Sequence, residues 1–169
     1  MSGSKSDPLV SPVLVNRYDI TLDLQVALRK PARIPPRARF EGWVRAALEG
    51  GGHPSGEVEL TIRIVEPQES ARLNQAYRQK SGPTNVLSFP FESPPGLSLP
   101  LLGDLVICAS LVEQQAADQR KPLEAHWAHL VIHGTLHLLG YDHLEPRQEA
   151  QMERLEISIL AGLGYDNPY

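Results

Sequence analysis

Five of the chain's six histidines fall within the eighteen residues from His126 to His143. Three of them form the run His133-Gly134-Thr135-Leu136-His137-Leu138-Leu139-Gly140-Tyr141-Asp142-His143, an H-x3-H-x2-G-x2-H pattern. Histidines four residues apart on a helix share one face, about 6 Å apart along the axis, so both rings can converge on one ion. A helix that simply continued would carry the third histidine about 15 Å past the first. Gly140 supplies the stop, because a glycine just past a helix takes the left-handed conformation that turns the chain back. The pattern is therefore two ligands, a turn and a third ligand. It leaves one coordination position for water or substrate, as a catalytic zinc site requires.

Zinc suits three neutral imidazoles with an open position, and nickel, cobalt or another transition metal could use the same ligands. A purely structural site would want a fourth protein ligand, for which Asp142 and Asp104 are the candidates. Cys108 is the single cysteine, so no thiolate cluster competes for the ion and no internal disulfide can form. That usage fits a reducing, cytoplasmic setting.

The elements that must position these residues follow from periodicity. Ile20 to Val26 alternates and reads as a half-buried strand, as does Glu59 to Val65. Asn85 to Phe91 and Leu105 to Ala109 are two further strands, joined by the proline-rich segment Glu92 to Leu102, a candidate lid. Between prolines 31, 35 and 36 and the triplet Gly50-Gly51-Gly52, Arg37 to Leu48 reads as a helix. Pro67 opens another through Arg78, and Ser110 with Glu113 forms a capping box for a short one to Arg120. The long helix Leu123 to Leu139 carries the first ligands, and a last helix spans Pro146 to Ala161.

Four strands and about five helices, unevenly interleaved, predict an α+β domain with one mixed sheet. At 169 residues and 41% hydrophobic content one core is expected. Residues 1–12, rich in Ser and Pro, read as a disordered extension with no signal-peptide character, leaving 13–169 as a single domain. No apolar run is long enough to span a bilayer.

On the long helix, His126, His129, His133 and His137 fall within a sector of about 80°. Trp127, Leu130, Val131, Gly134 and Leu138 occupy a different sector and face the core. His126 and His129, up to two turns from His133, read as supporting or substrate-side residues; ordinary packing is the alternative for both.

The spacing is close to that of metzincin proteases, H-E-x-x-H-x-x-G-x-x-H, but Gly134 stands where those enzymes keep a general-base glutamate. Met152 does not fit their methionine turn either. Cleaving a peptide needs an activated water and a protonated leaving amine, and this motif lacks the group that does both. Cleaving RNA makes other demands, chiefly charge stabilisation at phosphoryl oxygens, and a metal with a guanidinium suits that task. Arg78, before Lys80-Ser81-Gly82-Pro83, is the candidate; a helix-terminal cation stabilising the dipole is an equally good reading of it. No general base stands out, so water and the 2′-hydroxyl both stay open as nucleophile.

The net charge of −4 opposes nucleic-acid binding, yet residues 1–85 hold 12 Lys/Arg against 9 Asp/Glu, and residues 86–169 hold 4 against 11. Arg29, Lys30, Arg33, Arg37, Arg39 and Arg45 form the densest basic stretch, either a phosphate-facing surface or a solvated face.

The histidine run, together with Thr84-Asn85-Val86-Leu87-Ser88-Phe89-Pro90, Gly103-Asp104 and Asn74-x-x-Tyr77-Arg78, resembles the YbeY family of metal-dependent bacterial endoribonucleases. The resemblance extends from about Ile20 to Tyr169. It implies that His133, His137 and His143 bind zinc and that Arg78 acts beside the metal. It implies an α+β fold around four strands, single-stranded RNA as substrate, and a role in small-subunit rRNA maturation and ribosome quality control. A small-subunit ribosomal protein and a ribosome-associated GTPase are its implied partners, with no membrane. The competing expectations are a zinc metallopeptidase-like hydrolase and a non-catalytic ribosome-assembly factor with a structural metal.

Overall fold

The alternating strands expected from the sequence build one sheet because their two faces meet different partners. In a computed structural model describing residues 16–30 and 32–169, the order of elements is β1 (Tyr18–Ala27), α1 (Arg37–Gly50), β2 (Gly56–Val65), α2 (Pro67–Arg78), β3 (Val86–Pro90), β4 (Leu101–Cys108), α3 (Ala109–Asp118), α4 (Leu123–Leu138) and α5 (Pro146–Gly162). The extension expected at residues 1–12, and Pro31, lie outside the described residues. The sheet order is β1-β2-β4-β3, with β1, β2 and β4 parallel and β3 antiparallel on the edge beside β4. This is the mixed four-stranded α+β architecture that the sequence predicts.

Side chains alternate across a strand, so β2 and β4 each offer apolar residues to both faces. Leu60, Ile62, Ile64, Leu105 and Ile107 meet Phe40, Trp43 and Val44 of α1 and Trp127 and Val131 of α4 in the main core. Val65, Leu87 and Val106 form a smaller cluster on the other face, covered by Leu73 of α2. The sheet therefore separates α4 from α2, and the edge strand β3 lies between them.

Helix α4 is buried almost all round, on Trp127, Leu130, Val131, Gly134 and Leu138 as expected, and on Ala128, Ile132, Thr135 and Leu136 besides. Gly134 is the point of closest approach to the sheet. A Cβ there would lie 2.8 Å from Leu105 Cδ2 and 3.4 Å from Ser88 Oγ, while the Ser88 hydroxyl donates to the Gly134 carbonyl at 3.3 Å. Gly134 thus serves helix–sheet packing. A glutamate side chain at this position would be directed into Leu105, so the missing protease base is a demand of the fold.

Two local expectations differ. Strand β4 starts at Leu101, four residues early, and Gly103 makes that stretch fit: its φ is 138°, and a Cβ would meet the Phe89 carbonyl oxygen at 2.2 Å. The capping box expected at Ser110 and Glu113 does not form, because α3 begins two residues earlier, directly off β4 with Cys108 at its N-cap. A capping box forms at α5 instead, between Glu145 and Gln148.

Two glycines should respond oppositely to alanine. Gly134→Ala should lower unfolding stability by about 1–3 kcal/mol through overpacking. Gly42→Ala, in α1 with nothing within 4 Å of its Cβ, should raise it by up to about 1 kcal/mol through helix propensity. Urea denaturation of both variants checks the pair; equal shifts would contradict the assigned role of Gly134.

Candidate metal centre

The helix end that precedes the third histidine is built by backbone hydrogen bonds. The Gly140 N–H donates to the His137 carbonyl at 3.0 Å and the Tyr141 N–H to the Leu136 carbonyl at 3.1 Å, with Gly140 at φ 104°. These are the two bonds of a Schellman motif, which only a residue at ease with positive φ can close. Tyr141 then packs against the core and its hydroxyl donates to the Gly51 carbonyl at 3.1 Å, tying the turn to the end of α1. The Asp142 carboxylate accepts from the His143 N–H at 2.7 Å and shapes the last step.

The result brings His133, His137 and His143 together, each offering a ring nitrogen within 4.8 Å of the others. The Nε2 atoms of His133 and His137 lie 3.1 Å apart. Two nitrogens bonded to one tetrahedral zinc at roughly 2.0–2.1 Å would be about 3.3 Å apart, so the spacing fits a shared ion. Burial, followed by the neighbouring His133 and His143, pushes the His137 imidazole down to about 4. It is therefore neutral near pH 7, the form that ligates a metal. Among the described residues no fourth His, Cys, Asp or Glu joins this group. Asp104 is on the outer sheet face, beside Thr61 and Arg63, away from the histidines. Asp142 lines the same cleft as the three rings.

Sequence reading missed Glu156. Its side chain is fully buried, and its Oε1 accepts from His133 Nδ1 at 3.1 Å and from His129 Nε2 at 2.7 Å. The Tyr169 hydroxyl lies 3.1 Å from both carboxylate oxygens. Burial alone would push this carboxyl up, but hydrogen bonds from His129 and His133, and their charge, hold it down at about 2. An ionised Glu156 fixes the proton of His133 on Nδ1 and leaves the Nε2 lone pair facing His137. A sequence signal existed: Met152, Leu155, Ile159 and Leu160 set an apolar stripe on α5, and Glu156 interrupts it one turn after Met152.

The two remaining histidines diverge. His129 supports the site at one remove, through Glu156. His126 is buried, bonds Gln115 at 2.9 Å, and lies with His129 in a separate cavity under residues 164–169. Adjacent rings from His126 to His137 stand 6.3, 6.1 and 4.6 Å apart, a ladder along one side of α4.

The three histidines open into a cleft of about 690 Å³ that crosses the sheet edge. Residues 86–90 of β3 form its floor, and Tyr77 and Arg78 reach it from α2 on the opposite face. Among the described residues Arg78 is the only Lys or Arg lining it, and it makes no ion pair or side-chain hydrogen bond with them. The basic stretch of the N-terminal half does not reach it: Arg37 donates to the Leu22 carbonyl, Arg39 pairs with Glu124, and Arg45 donates to the Tyr18 carbonyl. No residue of the 92–102 segment lines it either, and Leu101 and Leu102 belong to β4.

The comparisons with known proteins fall on the same architecture. The solution structure of TM1509 from Thermotoga maritima aligns with a TM-score of 0.52 at 22% identity, over 85% of this chain and 92% of that one, a likeness of fold. No helix among the described residues is long and apolar enough to cross a membrane. A family model described as Endoribonuclease YbeY matches residues 29–164, which include Arg78, Glu156 and all three clustered histidines. The chain belongs to the YbeY endoribonuclease family, and that membership supports a role in rRNA processing.

Proposed function

We propose that this chain is a zinc-dependent, single-strand-specific endoribonuclease of small-subunit rRNA maturation and ribosome quality control in the cytoplasm. The observation that carries the proposal is the joint lining of one open cleft by His133, His137, His143 and an unpaired Arg78. The three imidazoles would hold the ion, with His133 oriented by Glu156. When bound, the ion supplies Lewis acidity at a phosphoryl oxygen. Arg78 binds and neutralises the phosphate through its planar fork, which matches two phosphoryl oxygens at once. That it has no ion pair or side-chain hydrogen bond among the described residues favours this role over a purely structural one.

Two features weigh against the other readings. A metzincin-type peptidase needs its carboxylate base directly after the first ligand; position 134 is glycine against the sheet, Glu156 is buried outside the cleft lining, and Asp142, which lines the cleft, accepts from the His143 N–H. A structural ion would be closed off by four protein ligands, whereas these three face an open cleft.

The test combines metal analysis with cleavage of single-stranded RNA by the purified protein. His137→Ala should lose both the ion and the activity. Arg78→Ala should keep the ion and lose about 10²–10³-fold in kcat, the usual loss when one donor to a developing charge is removed. RNA cleavage undiminished in both folded variants would exclude this assignment. Glu156→Gln should weaken zinc affinity about 10- to 100-fold in a chelator competition. An unchanged affinity would mean that Glu156 does not orient the His133 ring.

A further inference from the structure

Arg78 accounts for a phosphate but not for the neighbouring residue in the cleft. Tyr77 is 67% exposed on the last turn of α2, and among the described residues its hydroxyl makes no hydrogen bond. A single exposed aromatic is ordinary on a protein surface. This one is not isolated: the Phe89 ring stands 5.1 Å away at 73°, edge to face. Phe89 belongs to β3 and is itself packed against the small core cluster under α2. The edge contact therefore braces the Tyr77 ring from a rigid base and leaves much of it open to solvent.

The pair also sits at a boundary. Tyr77 and Phe89 line the metal cleft, and both line a second cavity of about 650 Å³ on the outer sheet face. The two cavities differ in charge. On the metal side are Arg78, the three histidines and Asp142, whose carboxylate accepts from the His143 N–H. On the far side, Asp104 and Glu69 flank an Arg63 already held by Glu69 at 2.6 and 3.0 Å. The first cavity offers phosphate the unpartnered guanidinium of Arg78, and an ion on the histidines would add to that attraction, whereas Asp104 and Glu69 disfavour phosphate in the second. A nucleotide whose phosphate rests on Arg78 thus turns its base toward the aromatic pair.

We propose that Tyr77, braced by Phe89, is the stacking platform for an unpaired nucleobase adjoining the scissile phosphate, which makes it the residue that selects single-stranded RNA. A base within a duplex is already stacked between its neighbours and cannot be laid on this ring without being unpaired. Stacking is tolerant of base identity, since every base has a π face, so the platform selects strandedness and not sequence. This inference rests on the endoribonuclease reading above.

The experiment measures steady-state cleavage of a single-stranded RNA oligonucleotide, and of the same oligonucleotide carrying one abasic residue at each position in turn. The zinc-loaded wild type, Tyr77→Phe and Tyr77→Ala are compared, with metal content measured for each. Tyr77→Ala should raise KM by about 5- to 100-fold, the usual range for loss of one stacked base, with zinc content unchanged. Tyr77→Phe should behave as wild type. In the wild type one abasic position should raise KM to a similar degree, and in Tyr77→Ala that position should become silent. A flat abasic scan in an active wild type, or equal damage from Phe and Ala, overturns the platform and leaves the nuclease reading intact. A zinc-loaded wild type that cleaves no single-stranded RNA overturns both.

Discussion

Helix α4 lies against β3 and β4 with no side chain between at Gly134, and the site depends on that contact. A Cβ at 2.8 Å from Leu105 would push the helix off the sheet or force Leu105 to move. Either shift would be felt at His133, the adjacent residue, and through it at His137 one turn on. The same contact brings the helix beside the edge strand, where its histidines open into a cleft and are not enclosed by core. The glycine that removes a carboxylate from the motif is thus the residue that allows the motif to sit where it does.

The second constraint is the buried carboxylate of Glu156. Removing an ionised group from water costs several kcal/mol, which is offset only when its oxygens are well supplied with donors. His129, His133 and Tyr169 supply them. The arrangement links residues 129, 133, 156 and 169, from two helices and the segment after α5, around one carboxylate. Its consequence is directional: with Nδ1 committed to Glu156, His133 presents Nε2 toward His137. The orientation of the His133 ring is enforced from behind.

The third constraint is topological. Arg78 and the histidines come from elements on opposite faces of the sheet, and they share a cleft only because β3 is the last strand. A further strand paired beyond β3 would wall them apart. The five-residue strand also carries Phe89, which links the small outer cluster to the rim of the cleft.

The local elements and the clustering of the three histidines were legible in the residues themselves. Alternation marked the first two strands and apolar runs the other two, and the helical spacing of His133 and His137 with Gly140 after them marked the histidine group and its turn. Such signals are readable because they depend on neighbours within one or two turns. What only the tertiary structure decided depends on residues far apart in the chain. Gly134 reads as a missing base until Leu105 and Ser88 are seen against it. Arg78 reads equally well as a dipole cation, and only the fold shows it beside the histidines with no side-chain partner among the described residues. The basic stretch from Arg29 to Arg45 reads as either a phosphate-facing surface or a solvated face, and only the fold shows that none of it lines the histidine cleft and that Arg37, Arg39 and Arg45 bond elsewhere. Glu156 broke an apolar stripe that was visible in α5, but its partners lie 23 and 27 residues before it. Sequence spacing determined which side chains could meet on one helix, whereas packing across the sheet determined what they face.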